Sequence, residues 1–363
     1  MNFLKHIEKD LSYEKAYDIA IDHSETIVIN LDTSYLFDQK IKEYRKYWLK
    51  YHINIRISGI ASESVEVNNF LLSFGLLQEL SISNHNLFPN RADKDYYKKY
   101  ITYKEQGSSD KKYLAGNVST KLVQYFDNCF RENGFSIKEE PKANLIDCFG
   151  EIIKNAEEHS GEVTTRWNVL GCYNKTSHIC SFSIINYGKS FFQSLSNMNS
   201  TAKDVIQEVA DVVYANRGII GKFKLLGSKT LYEEAIWTYM AIQDGISAKR
   251  SESGKASTRG QGIMDVVEFI DKIRNANKSD TYLTVFSGTS FLKIDYTYPL
   301  TSKKIGKNNE KRRVMYLNSE NSFSHPPDLD KLKIVQNAFS GVIFSGYFTI
   351  DKDYLITTIK RKE

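Results

Sequence analysis

Apolar residues recur along this chain with two periods, about two and about 3.6, and the switches between them outline its elements. Thr26–Leu31 (TIVINL) is a short β-branched run that predicts a buried strand. A polar helical stretch follows over Asp38–Tyr51, then the alternating strand Ile53–Ile57, then apolar residues at helical spacing over Val65–Leu80. Strand, helix, strand and helix in that order predict a small α/β unit. Asp93–Lys112 is polar, rich in Lys, Tyr and Ser, and reads as a linker or surface loop. Beyond it, the helices Ser119–Asn133 and Lys142–His159 precede the strands Thr164–Tyr173 and His178–Tyr187, joined at a turn-like Asn174–Ser177.

The stretch 200–247 is largely helical, with helices at Ala202–Ala215 and Leu231–Ser247. Ala248–Gly262 is dense in Ser, Gly, Lys and Arg and predicts a mobile loop, and a helix follows over Gly262–Ile273. Strands are expected at Tyr282–Phe286, Phe291–Tyr296, Arg313–Leu317, Val342–Ile350 and Leu355–Ile359. No internal repeat is visible.

Composition narrows the class. The apolar fraction is 41%, enough for a proper core in a chain of 363 residues, which is long enough for two domains. Lys and Arg exceed Asp and Glu by 49 − 44 = 5, a mild excess without the clustered stripe that nucleic acid requires. The basic runs Lys303–Arg313 and Lys360–Lys362 read as solvated loop and tail. The cysteines Cys129, Cys148, Cys172 and Cys180 form no C-x-x-C pair and no disulfide scaffold, which points to a reducing cytoplasm. Met1–Leu11 is charged and lacks the apolar core of a signal peptide, and no window suits a membrane span.

The chemistry concentrates on Asn144–Gly161, NLIDCFGEIIKNAEEHSG. At about 100° per residue, Leu145, Cys148, Phe149, Ile152, Ile153 and Ala156 share one arc, and Glu151, Asn155 and Glu158 share another with His159 at its border. An ordinary amphipathic helix with a solvated face would look the same. Asn155 is suggestive in mid-helix, since Asn is a weak helix former. Two glycine segments follow. Asn186-Tyr187-Gly188-Lys189-Ser190 ends the strand Ser181–Ile185, and Ser257-Thr258-Arg259-Gly260-Gln261-Gly262 opens the apolar helix of Ile263, Val266, Val267 and Ile270. The first is also compatible with a plain strand-to-turn Asn-x-Gly, the second with a simple helix start. A glycine turn at a helix N-terminus directs free N–H groups and the positive dipole end at phosphates.

The order and spacing of these segments over roughly residues 115–350 resemble the GHKL, or Bergerat-type, ATPases. E-x-x-x-N-A-x-x-H at Glu151, Asn155 and His159 resembles the N-box, most closely that of anti-sigma-factor serine kinases. The resemblance implies ATP and Mg²⁺ as ligands, Asn155 as the Mg²⁺ ligand and Glu151 as the catalytic base or orienting group. His159 either touches phosphate or caps its helix. The family's D-x-G-x-G box would be met by Asn186 and Gly188, with Asn186 in place of Asp and Ser190 in place of the second Gly. A neutral amide accepts from the adenine amino group more weakly than a carboxylate, or presents its NH₂ to a different base edge. Arg259, Gly260 and Gly262 resemble the G-x-G box, with Lys249, Arg250 and Lys255 as further phosphate charge. Phe339-Ser340-Gly341-Val342 stands where the family often has Gly-Thr, and Val342 lacks the hydroxyl. The strands around Ser287-Gly288 resemble the family's closing hairpin.

The implied fold is α+β: a Bergerat-type α/β sandwich ATP-binding domain at 115–363, with an extended lid at 189–259. A small α/β domain at 1–95 and a linker at 96–114 precede it. Thr26–Leu80 resembles, at pattern level, the STAS fold of anti-sigma-factor antagonists, where Ser34 and Ser58 would be considered for modification. Three functions are open. One is an ATP-dependent switch or ATPase in a bacterial regulatory or defence-like system. The others are an anti-sigma-type protein serine/threonine kinase and a non-catalytic interaction module with a degenerate pocket. The expected partners are a nucleotide and a regulatory protein, with room for a homodimer and none for membrane or nucleic acid. A sensor histidine kinase is set aside because no phosphoacceptor helix pair stands upstream, and a topoisomerase or MutL-like enzyme because too few residues follow for a transducer domain.

Overall fold

The computed structural model describes residues 17–51, 55–75, 91–108, 114–160, 166–196, 203–216, 229–246, 261–275, 280–305 and 310–360. The chain divides into two compact units, Met1–Thr102 with Cys172–Thr176, and Tyr103–Gly171 with Ser177–Glu363.

The first unit carries β1 (Tyr17–Asp22), α1 (Leu31–Lys50), β2 (Ile55–Ile60), α2 (Val65–Phe74) and a 3₁₀ turn at Tyr96–Lys98. β1 and β2 pair in parallel from Tyr17↔Ile55 to Asp22↔Ile60, so α1 is the crossover such a pair needs. Ile41 of α1 is buried among Ile21, Phe37, Tyr44 and Ile57. The expected strand Thr26–Leu31 is not there. Ile27 and Val28 are 82% and 75% exposed, in the loop leading to α1. Asn30 is extended at the helix N-cap and Asp32 lies in the first turn, so α1 starts at Leu31, not Asp38. The strand on which the STAS resemblance leaned is therefore displaced to residues 17–22. Ser34 is 4% exposed within α1 and closed to modification, whereas Ser58 on β2 is exposed. Leu76–Leu80, the end of the expected second helix, lie outside the described residues.

The second unit is built on a five-stranded sheet in the order β3-β4-β5-β9-β6. Its strands are β3 (Tyr100–Ser108), β4 (Arg166–Asn174), β5 (Ile179–Tyr187), β6 (Tyr282–Ile294) and β9 (Leu332–Thr349). A separate antiparallel pair, β7 (Thr301–Ile305) and β8 (Glu310–Val314), stands between β6 and β9 in sequence. β3 occupies residues expected to form a linker. Its helices are α3 (Ala115–Arg131), α4 (Glu139–His159), α5 (Phe191–Ser196), α6 (Lys203–Ala215), α7 (Lys229–Ala241), α8 (Gly262–Ile273) and α9 (Lys352–Lys360).

The arc predicted for α4 is the arc it buries: Leu145, Phe149, Ile152, Ile153 and Ala156 are all buried. Phe149 meets Phe126 of α3 and Phe182 of β5 at ring-centroid distances of 5.4 Å each. Phe126 meets the same Phe182 at 5.5 Å, and Phe182 meets Phe344 of β9 at 5.7 Å. This aromatic cluster is the centre of the unit. The α3–α4 corner is closed by Asp127, whose buried carboxylate accepts from the Ile137 N–H at 2.9 Å and from Arg131 at 3.0 Å.

Several expectations fail here for identifiable reasons. Tyr282–Phe286 and Phe291–Tyr296 are not a hairpin but one continuous strand, β6, whose pairing with β9 slips on both sides of Gly288. Gly288 has a φ of 60°, and a Cβ there would collide with the Glu234 carboxylate, so the glycine marks a bulge. Leu355–Ile359 is helical, because Asp351 accepts from the Tyr354 N–H at 3.1 Å and starts α9. Arg312 and Arg313 are not solvated as expected of a basic loop. Arg312 pairs with Glu208 at 2.9 Å, and Arg313 reaches Asp244 at 2.8 Å, Asp265 at 2.5 Å and Glu268 at 2.9 Å. Helix α7 lies in the stretch expected as a lid, yet Tyr232, Ala235, Ile236, Tyr239 and Met240 are buried, and the Tyr239 hydroxyl donates to the carbonyls of Met315 and Tyr316. Among the described residues no helix is long and apolar enough to cross a membrane.

The junction of β6 and β9 carries a titratable clasp. The nearly buried Lys331 ammonium lies 2.7 Å from Asp295 and 2.7 Å from Asp330. Burial opposes ionisation of Asp295, but hydrogen bonds from Lys331 and Thr297 outweigh it and hold the carboxyl at about 2. A carboxyl lowered on folding contributes stability above its unfolded value of about 4, and that contribution is lost as pH falls through the folded value. Asp295→Asn is expected to cost about 1 kcal/mol at neutral pH, after allowance for solvent screening. In urea unfolding, the gap between variant and wild type should narrow as pH drops from about 5 towards about 2. A gap independent of pH would mean that the clasp is not electrostatic.

Candidate functional site

Three separate stretches of the second unit meet around one cavity of about 560 Å³. Helix α4 contributes Glu151, Asn155 and His159, β5 contributes Ile184 and Asn186, and the start of α8 contributes Gly262. Spacings of four residues on α4 and two on β5 put each set on one face. Of the residues singled out in the sequence, Glu151, Asn155, His159, Asn186 and Gly262 line this cavity together. Gly188 does not line it, and Arg259 and Gly260, with Lys249, Arg250 and Lys255, lie outside the described residues.

The contact between α4 and α8 is direct. The Gly262 N–H donates to Glu151 Oε2 at 3.1 Å. Gly262 is one of the first residues of α8, whose leading N–H groups have no partner within the helix, so Glu151 satisfies one of them. The approach is close: a Cβ at 262 would lie 3.0 Å from the Cys148 carbonyl and 3.1 Å from Glu151 Oε2. Glu151 is thus engaged in holding two helices together, a role its motif did not reveal.

Gly188 serves the wall of the site. Its N–H donates to the Ser340 carbonyl at 3.2 Å, and the next N–H, of Lys189, donates to the His159 carbonyl at 3.1 Å. That bond closes the C-terminal end of α4. Ser190, which stands in place of a second glycine, has its own use. Its hydroxyl accepts from the Gln193 N–H at 3.2 Å while Gln193 Oε1 accepts from the Ser190 N–H at 3.0 Å, a capping box for α5.

Asn186 is the buried polar group of the cavity. It is 4% exposed, and its Oδ1 is sealed from solvent with no hydrogen-bond partner. It pairs with Val342 across the β5–β9 ladder, and Ile184 pairs with Phe344, so all four line the same wall. Gly341 beside them has a φ of 134°, and a Cβ there would collide with the Asn186 carbonyl. Phe191 and Leu195 of α5, with Ile246, add further apolar lining to the same cavity.

The lining is also charged: Asp147, Glu151, Glu158 and Asp265 contribute to it, with Lys154 and Lys189. Sequence reasoning missed Lys189, Leu195, Ile246 and Asp265 as lining residues; only Lys189 stood inside a motif. Arg313 offsets part of this charge, since its guanidinium is shared by Asp244, Asp265 and Glu268. Burial would lower the Arg313 pKa, but its hydrogen bonds with Asp244, Asp265 and Glu268 raise it, so the cation is permanent. Burial, and then the Asp265 carboxylate, push the Cys148 thiol up to about 12, so it is neutral and unreactive. Among the described residues no group of three or more His, Cys, Asp or Glu is arranged to hold a metal ion. A cation here would need oxygens from a ligand. In comparisons with protein-family models, curated proteins and solved structures, nothing matches the chain.

The α4–α8 contact makes a prediction in which two effects oppose each other. Gly262→Ala gains up to about 1 kcal/mol of helix propensity. It also requires the Cys148 carbonyl and the Glu151 side chain to give by a few tenths of an ångström, an overpacking cost of about 1–3 kcal/mol. The contact should win, lowering the urea midpoint by the equivalent of about 1 kcal/mol. A stabilised variant would show that α8 is free to move off α4.

Proposed function

We propose that this cavity binds a nucleoside triphosphate as its Mg²⁺ complex, in the manner of a GHKL-type ATP-binding domain, and that the chain acts as a nucleotide-dependent switch. The reading is carried by the convergence of α4, the end of β5 and the start of α8, distant in sequence, on a single cavity lined by both apolar and charged side chains. A buried amide acceptor without a partner is costly, which fits a compartment built around a ligand.

The residues suit the group. Ile184, Val342, Phe344 and Leu195 would enclose a planar base, with Asn186 meeting its polar edge. Asn155, exposed on α4, would supply a hard oxygen to Mg²⁺, whose remaining positions go to phosphates and water. Mg²⁺ supplies charge neutralisation when bound. That supply matters because carboxylates outnumber lysines here, and they would repel a bare triphosphate. The N-terminus of α8 presents its dipole to the same cavity, and Lys189 adds a cation. Arg313 holds Asp265 neutralised, so the acid in the first turn of α8 does not cancel that field. Glu151 joins α4 to α8 through Gly262, so a ligand in the cavity acts on both helices at once. A regulatory protein would read that change. A binding-only module is the second reading, favoured by this same engagement of Glu151.

Calorimetry on the full chain tests the proposal. Nucleoside triphosphate binding should require Mg²⁺ and weaken about tenfold or more in Asn155→Ala, the equivalent of one metal-ligand contact. Turnover lost in Glu151→Gln would favour hydrolysis, and no turnover in either form would favour the binding-only module. Absence of binding by wild type, with or without Mg²⁺, would sink the nucleotide reading altogether.

A further inference from the structure

Arg313 does not line the cavity, yet we infer that it is a positioning residue of the nucleotide site, setting through Asp265 the field that phosphate groups meet there. This rests on the nucleotide reading above and concerns how an acid-rich cavity accepts a polyanion. Asp265, in the first turn of α8, lines the cavity, and its Oδ1 lies 2.5 Å from Arg313 Nη1. Asp265 also hydrogen-bonds the Cys148 thiol, a lining group from α4. The same arginine holds the turn after α7. Asp244 Oδ2 accepts from the Arg313 backbone N–H at 2.9 Å and from Nε at 2.8 Å, while Oδ1 accepts from Nη2 at 3.0 Å. Ala241 and Ile246, on either side of Asp244 in the chain, both line the cavity. One guanidinium therefore fastens two stretches of the lining without entering it, which its fork of donors permits.

The two halves of the Arg313–Asp265 pair act on a phosphate with opposite signs. Asp265, in the lining, repels it; Arg313, behind Asp265, attracts it. Asp147, Glu151 and Glu158 already outnumber Lys154 and Lys189, so an uncompensated Asp265 would deepen an existing surplus of negative charge. Coulombic contributions superpose, and partly buried charges are screened less by salt than exposed ones. Loss of the cation therefore weakens phosphate binding, and loss of the carboxylate strengthens it. A purely mechanical strap behaves otherwise: cut from either side, it loosens the same lining and weakens every ligand alike.

Calorimetric titration of the full chain separates the two. The probes are the Mg²⁺ complexes of ATP and GTP, followed by the diphosphate and the nucleoside of whichever binds more tightly. These three ligands share a base and differ in charge. Arg313→Gln should weaken the triphosphate about tenfold, the order of one charge acting through partly solvated protein, the diphosphate less and the nucleoside least. Asp265→Asn keeps an acceptor for Arg313 and should tighten the triphosphate about threefold, because one lining anion is gone. The double variant should bind nearly as wild type does. Arg313→Lys, which keeps the charge and loses the fork, should retain most of the triphosphate affinity even as its thermal transition falls. Each variant is first shown to be folded by that transition, and the sign for Asp265→Asn stands as the test if Arg313→Gln does not fold. Weaker or unchanged triphosphate binding by Asp265→Asn overturns the inference while leaving the nucleotide site standing. So does an Arg313→Gln loss that is equal for triphosphate and nucleoside, or a double variant no better than Arg313→Gln. Binding of neither ATP nor GTP by wild type removes the nucleotide reading and this inference with it.

Discussion

Helix α4 is held in one rotation about its axis by Phe149, whose ring lies between Phe126 and Phe182 in a fully buried cluster. A turn of the helix by even one residue would swing that ring by about 100° and empty the centre of the unit. With Phe149 fixed, the direction of every other α4 side chain follows. Ile152, Ile153 and Ala156 go inward, while Glu151, Asn155 and His159 open on the cavity. The site is in this sense a by-product of core packing, with no loop needed to aim its polar residues. The aromatic cluster extends into β9 through Phe344, and Phe344 itself forms part of the cavity wall. Core and site share side chains, so a change in one is transmitted as a change in the other.

Charge arranges the second half of the site. Arg313 draws Asp244, Asp265 and Glu268 to one guanidinium and so fixes α8 and the turn after α7 against β8. A single planar cation suits this task because its fork of donors can serve several carboxylates at once. The gathering also decides the field near the cavity. Asp265 would otherwise lie as an unmatched anion in the first turn of α8, beside the N–H that Glu151 already receives.

Much of this was legible in the sequence where one residue type dominated a long period. The buried arc of α4 and the span Gly262–Ile273 of α8 follow directly from apolar spacing, because tertiary packing in both cases reinforces the local pattern. Local patterns misled where the deciding contact is distant. TIVINL has the composition of a strand, yet no strand pairs with it, and Ile27 and Val28 stay exposed. Asp351 was available as a helix cap in the sequence, but the β-branched residues after it suggested a strand. Gly288 looked like a hairpin turn because a bulge and a turn use the same residue. The three acidic partners of Arg313 come from stretches as far apart as residues 244 and 268, which no reading of the 303–313 run could supply. Glu151, Asn155, His159, Asn186 and Gly262 were singled out and line one cavity, but Lys189, Asp265, Leu195 and Ile246 were not, since Leu195 and Ile246 look like any other core residue before the fold brings them together.

The bond from the Lys189 N–H to the His159 carbonyl joins main chain to main chain. Any residue except proline could donate it. The architecture therefore leaves the side chain at position 189 unconstrained, even though the backbone there is pinned to the end of α4. A lysine at such a position is a free choice of chemistry on a fixed mount, and substitutions there sample what the cavity accepts without retuning the fold that surrounds it.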